Sequence, residues 1–246
     1  MKTPVEQSQS GILALPENAA MILDNITSAA ELSGIGNGIV SSLIYAFVGS
    51  ATAVIVASSA AYSIAMLKIR FPFFWFLIIY SGTIFPFQMY LMPLFRMYQT
   101  VGLYDSRIGM LLFYSAIAVP FCLFVFRNYF IGMEPEVFEA ASLDGASSFQ
   151  TYLRILLPMA KPAALFLFVT QFSWIWNDFL FGQVLAKSDN VRPVMASLAM
   201  LSGTYGTGTI PQQMAGALTA SIPTLILFFV LQKHFMQGLI LNTAGE

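Results

Sequence analysis

The sequence predicts an all-α integral membrane protein with about five transmembrane helices. Of its 246 residues, 57% are hydrophobic and only 9% are charged, whereas a soluble domain carries about 25% charged residues. Crossing a bilayer takes about 20 apolar residues of helix. Five nearly uncharged stretches meet that length, and they run from Ile39 to Met66, Phe71 to Phe95, Ile108 to Phe126, Pro162 to Ala186 and Gln212 to Gln232.

The segment before the first span, residues 1–38, is polar and mixed. A weak helical stripe in it predicts a helix that lies at a membrane interface, and the stripe consists of Met21, Ile22, Ile26, Ala29 and Leu32.

Small residues recur every four positions in the first span, at Gly49, Ala53, Ala57 and Ala61. Such a face lets helices approach closely in lipid, so we expect it to pack against a neighbouring helix. In the second span, Pro86 and Pro93 predict kinks.

Residues 134–158 separate the third and fourth spans and carry several charges. Charged side chains are expensive to place in hydrocarbon, so this segment is expected to lie in water. Pro135 suits the first turn of a short helix from Glu136 to Leu143, whose N-terminal glutamates complement the helix dipole. We call residues 134–158 the elbow.

A second short helix is predicted in the elbow after a turn at Asp144-Gly145, because glycine adopts positive φ without steric cost. Ala146-Ser147-Ser148 suits the start of that helix. Its apolar face is expected to comprise Phe149, Tyr152, Leu153 and Leu156.

A carboxylate, Asp178, lies within the fourth predicted span, in the run Trp174-Ile-Trp176-Asn177-Asp178. It has two interpretations. The first is a hydrated carboxylate beside interfacial tryptophans, and the second is part of a translocation path lined by Trp174, Trp176, Asn177 and Asp178. The Gly-, Ser- and Thr-rich stretch that follows, Lys187 to Pro211, is predicted to be a flexible connector.

Several classes of function are disfavoured. The net charge of −1 argues against nucleic acid, whose recognition needs a basic face. A single cysteine, Cys122, and a single histidine, His234, predict neither a disulfide nor a metal site. Since no Gly-Lys-Ser/Thr phosphate loop or catalytic constellation is present, the chain itself is expected to use no cofactor and to catalyse no reaction.

The elbow sequence EAASLDGASSFQTYLRILLP resembles the coupling loop of the membrane subunits of ABC importers. It is closest to the carbohydrate-uptake branch and to the smaller permease of maltose-type systems. The resemblance implies a type I transmembrane domain over residues 39–246 and a loop that docks on a cytoplasmic ATPase. The residues it assigns to that coupling are Glu139, Ala140, Ala141, Asp144, Gly145, Ile155, Leu157 and Pro158.

The same resemblance implies partners. They are a second homologous permease, two cytoplasmic ATPase subunits that bind ATP and Mg, an extracytoplasmic sugar-binding protein, and the surrounding membrane lipid. The binding protein is expected to contact Ser202, Gly203, Thr204, Tyr205 and Gly206. The resemblance implies six membrane helices, and the opening Lys2-Thr3-Pro4 resembles the segment that follows the first of them. Either the start of the chain has been assigned late, or the protein is a shortened member that lacks this helix.

Orientation does not follow from charge, because the 11 Lys and Arg residues divide six to five between the two sides of a five-span chain. The resemblance places the elbow in the cytoplasm and residues 1–38 outside the cytoplasmic (inner) membrane.

The predicted function is therefore ATP-driven import of a sugar, with an oligosaccharide as the first expectation. The alternative is an ion-coupled secondary transporter. That class predicts inverted internal repeats and ionisable groups near the bilayer centre, whereas the five spans here are nearly free of charge.

Overall fold

The computed structural model describes residues 20–202, 206 and 208–243, and side chains at 22–202, 206 and 208–229. Every regular element within these residues is a helix. In chain order the helices are α1 Ala20–Ser33, α2 Ile35–Met66, α3 Pro72–Tyr80, α4 Phe87–Val101, α5 Arg107–Ile131, α6 Pro135–Leu143, α7 Ser148–Met159, α8 Lys161–Trp176, α9 Leu180–Leu185, α10 Val194–Ala199 and α11 Ile210–Thr243.

Three helices are long and apolar enough to cross a membrane on their own, namely α2, α5 and the Ile210–Phe229 part of α11. Two further pairs of helices pass the same test together although each is sharply bent, which gives up to five spans. The helical fold and the number of spans agree with the sequence prediction. The N-terminal stripe also forms a helix, α1, while residues 1–19 lie outside the described residues.

The second predicted span is broken rather than continuous. Pro72–Thr83 and Phe87–Val101 meet at an angle of 91°, and Pro86 lies in the break. The prediction of a kink at Pro86 is thus confirmed. The break does not extend to Pro93, which lies inside α4, since helices in membranes can satisfy the carbonyl freed by a proline in other ways.

The chain divides into two compact units. One comprises residues 46–92, 111–173 and 230–246. Its core contains the small-residue face of α2, where Ala53, Ala57 and Ala61 are fully buried, together with Cys122 of α5 and Leu156 of α7. The expected close packing of that face is confirmed.

The other unit comprises residues 1–45, 93–110 and 174–229. The start of α2 approaches α10 closely within it. A Cβ atom built on Gly38 would lie 2.7 Å from the Ser197 Oγ and 3.1 Å from the Val194 Cα, so a larger residue at this position would force a neighbour to shift. The Ser42 hydroxyl accepts a hydrogen bond from the Val194 N–H at 2.8 Å in the same contact.

Two sequence predictions in this second unit are wrong. The fourth predicted span does not run as one helix to Ala186, because α8 ends at Trp176 and a new helix, α9, begins at Leu180. Polar Asn177 and Asp178 lie in the break, where short polar side chains compete with helical backbone hydrogen bonds. The predicted connector from Lys187 contains a helix, α10.

Candidate functional site

The first half of the elbow is the short helix α6, which begins at Pro135 with Glu136 in its first turn. Of the predicted coupling residues on it, Glu139 and Ala140 are exposed, whereas Ala141 is buried at 5% exposure. Leu143 ends the helix and is 89% exposed.

A tight turn joins the two helices of the elbow. Gly145 has φ of 77°, a conformation that glycine adopts without strain. The Ala146 N–H donates to the Ala141 carbonyl at 3.0 Å, which closes the turn. It is therefore the backbone conformation, and not a lack of space, that favours glycine here. A Cβ atom built on Gly145 would meet no atom within 4 Å, so the surface above the turn is open.

The second helix, α7, starts with a capping box. The Gln150 N–H donates to the Ser147 Oγ at 3.3 Å, and the Ser147 N–H donates to the Gln150 Oε1 at 2.9 Å. This reciprocal pair satisfies two of the free N–H groups that a helix start leaves. The predicted turn and second helix are confirmed.

A π-helical turn from Tyr152 to Leu156 interrupts α7. The Leu157 N–H donates to the Tyr152 carbonyl, five residues earlier. Such π-helical turns are rare in proteins as a whole, but those that occur are often found at functional sites. No feature of the sequence predicted this one.

The predicted apolar face of α7 is divided lengthwise. Tyr152 and Leu156 are buried at 8% and 0% exposure, whereas Phe149 and Leu153 are 69% and 43% exposed. Of the predicted apolar face, one half is therefore buried and the other half is exposed. The last three predicted coupling residues lie at the end of this helix, where Ile155 and Leu157 are half-buried and Pro158 is exposed.

The exposed side of the elbow combines apolar and acidic groups. Leu143 and Phe149 lie on it with the carboxylates of Glu136, Glu139 and Asp144. Among the described residues, Arg192 and Asp189 form the ion pair, and the elbow carboxylates have no cationic partner there. This side can present a small, acidic and partly apolar surface to another protein.

Two hydroxyl groups of α2 hold the elbow. The Ser58 Oγ and the Tyr152 Oη lie 2.7 Å apart in a buried contact. The Tyr62 Oη donates to the Ser148 carbonyl at 3.0 Å, and the rings of Tyr62 and Tyr152 lie 5.4 Å apart. Sequence reasoning missed Ser58 and Tyr62, although a serine and a tyrosine one turn apart in an apolar span are a usable signal.

The four candidate path residues lie at the end of α8 and in the break after it. Trp176 is fully buried, and its indole N–H donates to the Ala220 carbonyl at 3.2 Å. The Asp178 carboxylate accepts from the N–H groups of Phe181 at 3.4 Å and Gly182 at 3.0 Å, so it caps α9. Asn177 is exposed and Trp174 is half-buried.

Of the expected binding-protein loop, Ser202 and Gly206 are described, and residues 203–205 lie outside the described residues. The Ser202 hydroxyl donates to the Ala199 carbonyl at 3.4 Å. The Gln213 side-chain amide donates to the carbonyls of Leu201 at 2.9 Å and Gly208 at 3.0 Å, which ties both ends of this loop to α11.

The segment from 187 to 193, predicted to be flexible, is instead held by long-range hydrogen bonds. The Asp105 carboxylate accepts from the Lys187 N–H at 2.7 Å and the Ser188 N–H at 2.9 Å, and also from the Ser188 hydroxyl. Burial alone would raise the pKa of Asp105, but the hydrogen bonds from Ser188 and Lys187 hold this pKa below its ordinary value.

The opposite side of the 187–193 segment contacts α2 and α5. The Asn190 carbonyl accepts from the Ser41 hydroxyl at 3.0 Å and the Arg107 Nε at 2.9 Å. The Tyr45 hydroxyl donates to the Val191 carbonyl at 2.8 Å. The segment is thus fixed by side chains that lie far from it in the sequence, which a local reading does not find.

Comparison with known proteins agrees with this architecture. Residues 57–240 match the family described as "Binding-protein-dependent transport system inner membrane component". A crystal structure of a bacterial ABC transporter involved in the import of the acidic polysaccharide alginate contains a similar chain, with a TM-score of 0.75 and 22% identity, over 94% of this chain and 85% of that one. At that identity the likeness shows the fold.

Three relatives have similar sequences. A probable ABC transporter permease protein of Pyrococcus horikoshii is 35% identical over 64% of this chain and 57% of its own length. An osmoprotective compounds uptake permease protein of Synechocystis sp. is 31% identical over 89% of this chain and 73% of its own length. An alpha-glucoside transport system permease protein of Rhizobium meliloti is 30% identical over 89% of this chain and 59% of its own length.

The chain thus spans 57% to 73% of the length of these three relatives. The family match covers most of the chain, and it is the family that the elbow sequence resembles. The chain belongs to the family of inner membrane components of binding-protein-dependent transport systems, and it is a multi-pass protein of the cytoplasmic membrane with the fold of an ABC transporter permease.

Proposed function

We propose that this chain is a permease subunit of an ATP-driven importer that brings a sugar across the cytoplasmic membrane. The observation that carries the proposal is the elbow, a charged two-helix segment between membrane helices with an open surface above Gly145 and an 89% exposed Leu143. Such a surface suits docking into a groove on an ATPase. The family match supports this reading over an ion-coupled transporter.

The partners belong to the proposal. Two cytoplasmic ATPase subunits bind and hydrolyse ATP, a second homologous permease completes the path, and an extracytoplasmic sugar-binding protein delivers the substrate. In this orientation the elbow faces the cytoplasm, and the binding protein is proposed to contact Ser202, Gly203, Thr204, Tyr205 and Gly206. The coupling residues are those assigned from the elbow resemblance.

An oligosaccharide is the proposed substrate. The names of several relatives support it, since these proteins are called permeases for alpha-glucosides, arabinooligosaccharides and lactose. Among the candidate path residues, exposed Asn177 and half-buried Trp174 fit sugar contact, because sugars bind through amide hydrogen bonds and aromatic faces. Trp176 and Asp178 support these two residues by holding the ends of α8 and α9 in place.

Reconstitution tests the proposal. The complex would be purified with its partners from its native host and reconstituted into proteoliposomes. The sugar-binding protein would be added on the side of the membrane that it contacts, and either ATP or ADP would be supplied on the side of the ATPase subunits. Uptake of radiolabelled maltose, lactose and an arabinooligosaccharide would be measured with and without a proton uncoupler. We expect ATP-dependent uptake of at least one sugar that the uncoupler does not reduce. Uptake that requires an ion gradient and not ATP would contradict the proposal.

A further inference from the structure

Four residues form a two-rung ladder between α2 and the second helix of the elbow. Ser58 pairs with Tyr152 at 2.7 Å, and Tyr62 pairs with Ser148 at 3.0 Å. Ser58 and Tyr62 are one helical turn apart, and so are Ser148 and Tyr152. Ser58, the earlier residue on α2, pairs with Tyr152, the later residue on α7. The two helices therefore run antiparallel at this contact. We call these four residues the tyrosine ladder.

The hydrogen bonds of the Ser58–Tyr152 rung have a defined direction. The Ser58 hydroxyl also lies 3.0 Å from the Ile55 carbonyl, to which it donates. A hydroxyl has one proton to donate, so the Tyr152 O–H donates to the Ser58 Oγ. The result is a chain of hydrogen bonds from Tyr152 through Ser58 to the backbone of α2, in which each bond strengthens the next.

The Ser58–Tyr152 rung of the tyrosine ladder is buried, whereas the Tyr62–Ser148 rung is partly buried because Ser148 is exposed. Ser58 is fully buried, and Tyr62 and Tyr152 are 7% and 8% exposed. The rings of Tyr62 and Tyr152 lie 5.4 Å apart and are tilted by 31° relative to each other. Hydrogen bonds in such surroundings are stronger than in water, and their geometry is more restrictive than that of apolar packing.

The ladder connects parts that the chain does not join directly. The elbow continues covalently into α5 on one side and α8 on the other, whereas α2 lies much earlier in the sequence. A movement of the elbow therefore reaches α2 only through noncovalent contacts. Among the described residues, the hydrogen bonds between residues 134–158 and α2 are the two rungs of the ladder.

The part of the elbow at this contact has local order. The capping box fixes the start of α7, and the π-helical turn begins at Tyr152 itself. Ser58 and Tyr62 lie on a continuous helix of 32 residues, α2.

We propose that Tyr62 and Tyr152 are positioning residues that transmit the movement of the elbow to α2, and that Ser58 is the acceptor that completes this link. The inference rests on the proposed function, because it assigns to the ladder a step of ATP-driven transport. It predicts that loss of a rung uncouples ATP hydrolysis from transport without loss of the ATPase from the complex.

The test compares Tyr62→Phe and Tyr152→Phe with wild type in proteoliposomes that contain the complete native complex. The readout is the number of sugar molecules taken up per ATP hydrolysed, with the sugar from the maltose, lactose and arabinooligosaccharide panel that wild type takes up fastest. Each substitution removes one hydroxyl and keeps the ring. We expect this ratio to fall by about fivefold or more, which corresponds to the lower range of typical coupling between sites.

Tyr129→Phe is the matched control. Its hydroxyl donates to the Met159 carbonyl at 3.1 Å, so the substitution removes a tyrosine hydrogen bond next to the elbow that does not involve α2. The ratio is expected to stay within about 1.5-fold of wild type. A purely structural role of the ladder would lower uptake and hydrolysis together and leave their ratio unchanged.

A smaller substitution covers the case in which a Tyr variant fails to assemble. Ser58→Ala removes the acceptor and is expected to lower the ratio, whereas Ser58→Thr keeps a hydroxyl and is expected to restore it. If wild type shows ATP-dependent uptake and all the ladder variants keep the wild-type ratio, the ladder inference is overturned and the proposed function stands. If wild type shows no ATP-dependent uptake, both are overturned.

Discussion

The elbow and the 187–193 segment are both polar stretches next to membrane helices, but they are held in opposite ways. The elbow has local order, from Pro135 at its first helix, Gly145 at its turn and the Ser147 capping box. The 187–193 segment is fixed by partners from two distant parts of the chain, which include Tyr45 and Asp105. Local chemistry can be recognised in a sequence, whereas long-range hydrogen bonds cannot.

The two regions also differ in whether their polar and apolar groups already have partners within the described part of the chain. The elbow leaves Leu143 and Phe149 exposed and its carboxylates without cationic partners in the described part of the chain. In the 187–193 segment the N–H groups of Lys187 and Ser188 and the Asn190 carbonyl are already bonded to side chains of the same chain. We therefore expect substitutions at the exposed apolar residues of the elbow, Leu143 and Phe149, to act on partner binding, and those around the 187–193 segment to act on stability.

The largest effect is expected for Leu143→Asp. The substitution places a charge where an apolar side chain is 89% exposed, so the thermal unfolding temperature should not change. Binding of the ATPase subunit should weaken by about tenfold or more, as for loss of an interface anchor. Affinity measured for the detergent-solubilised complex checks this. Leu23→Asp on α1, at a leucine that is 66% exposed, is the control; equal weakening by both variants would contradict a specific role of the elbow.

A smaller effect, about 2 kcal/mol of local stability, is expected for Asp105→Asn, because hydrogen bonds to a charged acceptor become bonds to a neutral one. Hydrogen exchange should accelerate at the amides of Lys187 and Ser188 and stay unchanged in the elbow. Faster exchange in the elbow as well would show that the two regions are not independent.

Asp105 also predicts a dependence on pH. Since its pKa in the folded protein is below the ordinary value, the stabilisation is present above the unfolded-state pKa of about 3.9 and is lost as the pH falls through the lowered pKa. The amides of Lys187 and Ser188 should therefore lose protection at acid pH in wild type. In Asp105→Asn this acid-dependent loss should be absent.

Ser147→Ala is expected to cost about 1 kcal/mol, because it removes the hydroxyl that caps α7. Exchange should accelerate at the Gln150 amide and remain unchanged at Lys187 and Ser188. Ser142→Ala, at an exposed serine of α6, is the matched control. No change at Gln150 would mean that the tyrosine ladder alone holds α7.

The smallest effect is expected for Asp189→Asn. The pair of Asp189 and Arg192 is 2.8 Å long, but the Asp189 side chain is 67% exposed, and exposed ion pairs contribute about 0–1 kcal/mol. Thermal unfolding should shift by less than for Asp105→Asn. An equal shift would show that the ion pair, and not the Asp105 carboxylate, fixes the 187–193 segment.

Much of the fold was predictable because its signals are local. The number of membrane spans follows from the lengths of the apolar stretches. The break at Pro86 follows from the effect of proline on a helix, and the turn of the elbow follows from the Asp144-Gly145 pair. The packing of Ala53, Ala57 and Ala61 follows from their spacing. The break at Asn177–Asp178 was visible as a polar pair, but the hydropathy of the surrounding span outweighed it in the prediction.

The candidate site was predictable in part. The sequence located the elbow and its two helices, but it did not predict the π-helical turn or the division of the apolar face, since both depend on where Tyr152 meets Ser58. That contact joins residues that are 94 positions apart. Asp105 was missed for the same reason, because its partners lie 82 and 83 positions further along the chain.

The central claim, that the elbow docks an ATPase, is tested most directly by a detergent pull-down of the tagged chain from its native host. Wild type, Gly145→Asp and Gly132→Asp would be compared, and mass spectrometry would identify a bound subunit with a Gly-Lys-Ser/Thr phosphate loop. Gly132 precedes the elbow and has ordinary space for a side chain, with its nearest contact at 3.6 Å. We expect wild type and Gly132→Asp to retain the ATPase and Gly145→Asp to lose it. Equal retention by Gly145→Asp, or no ATPase with wild type while the second permease is retained, would contradict the account.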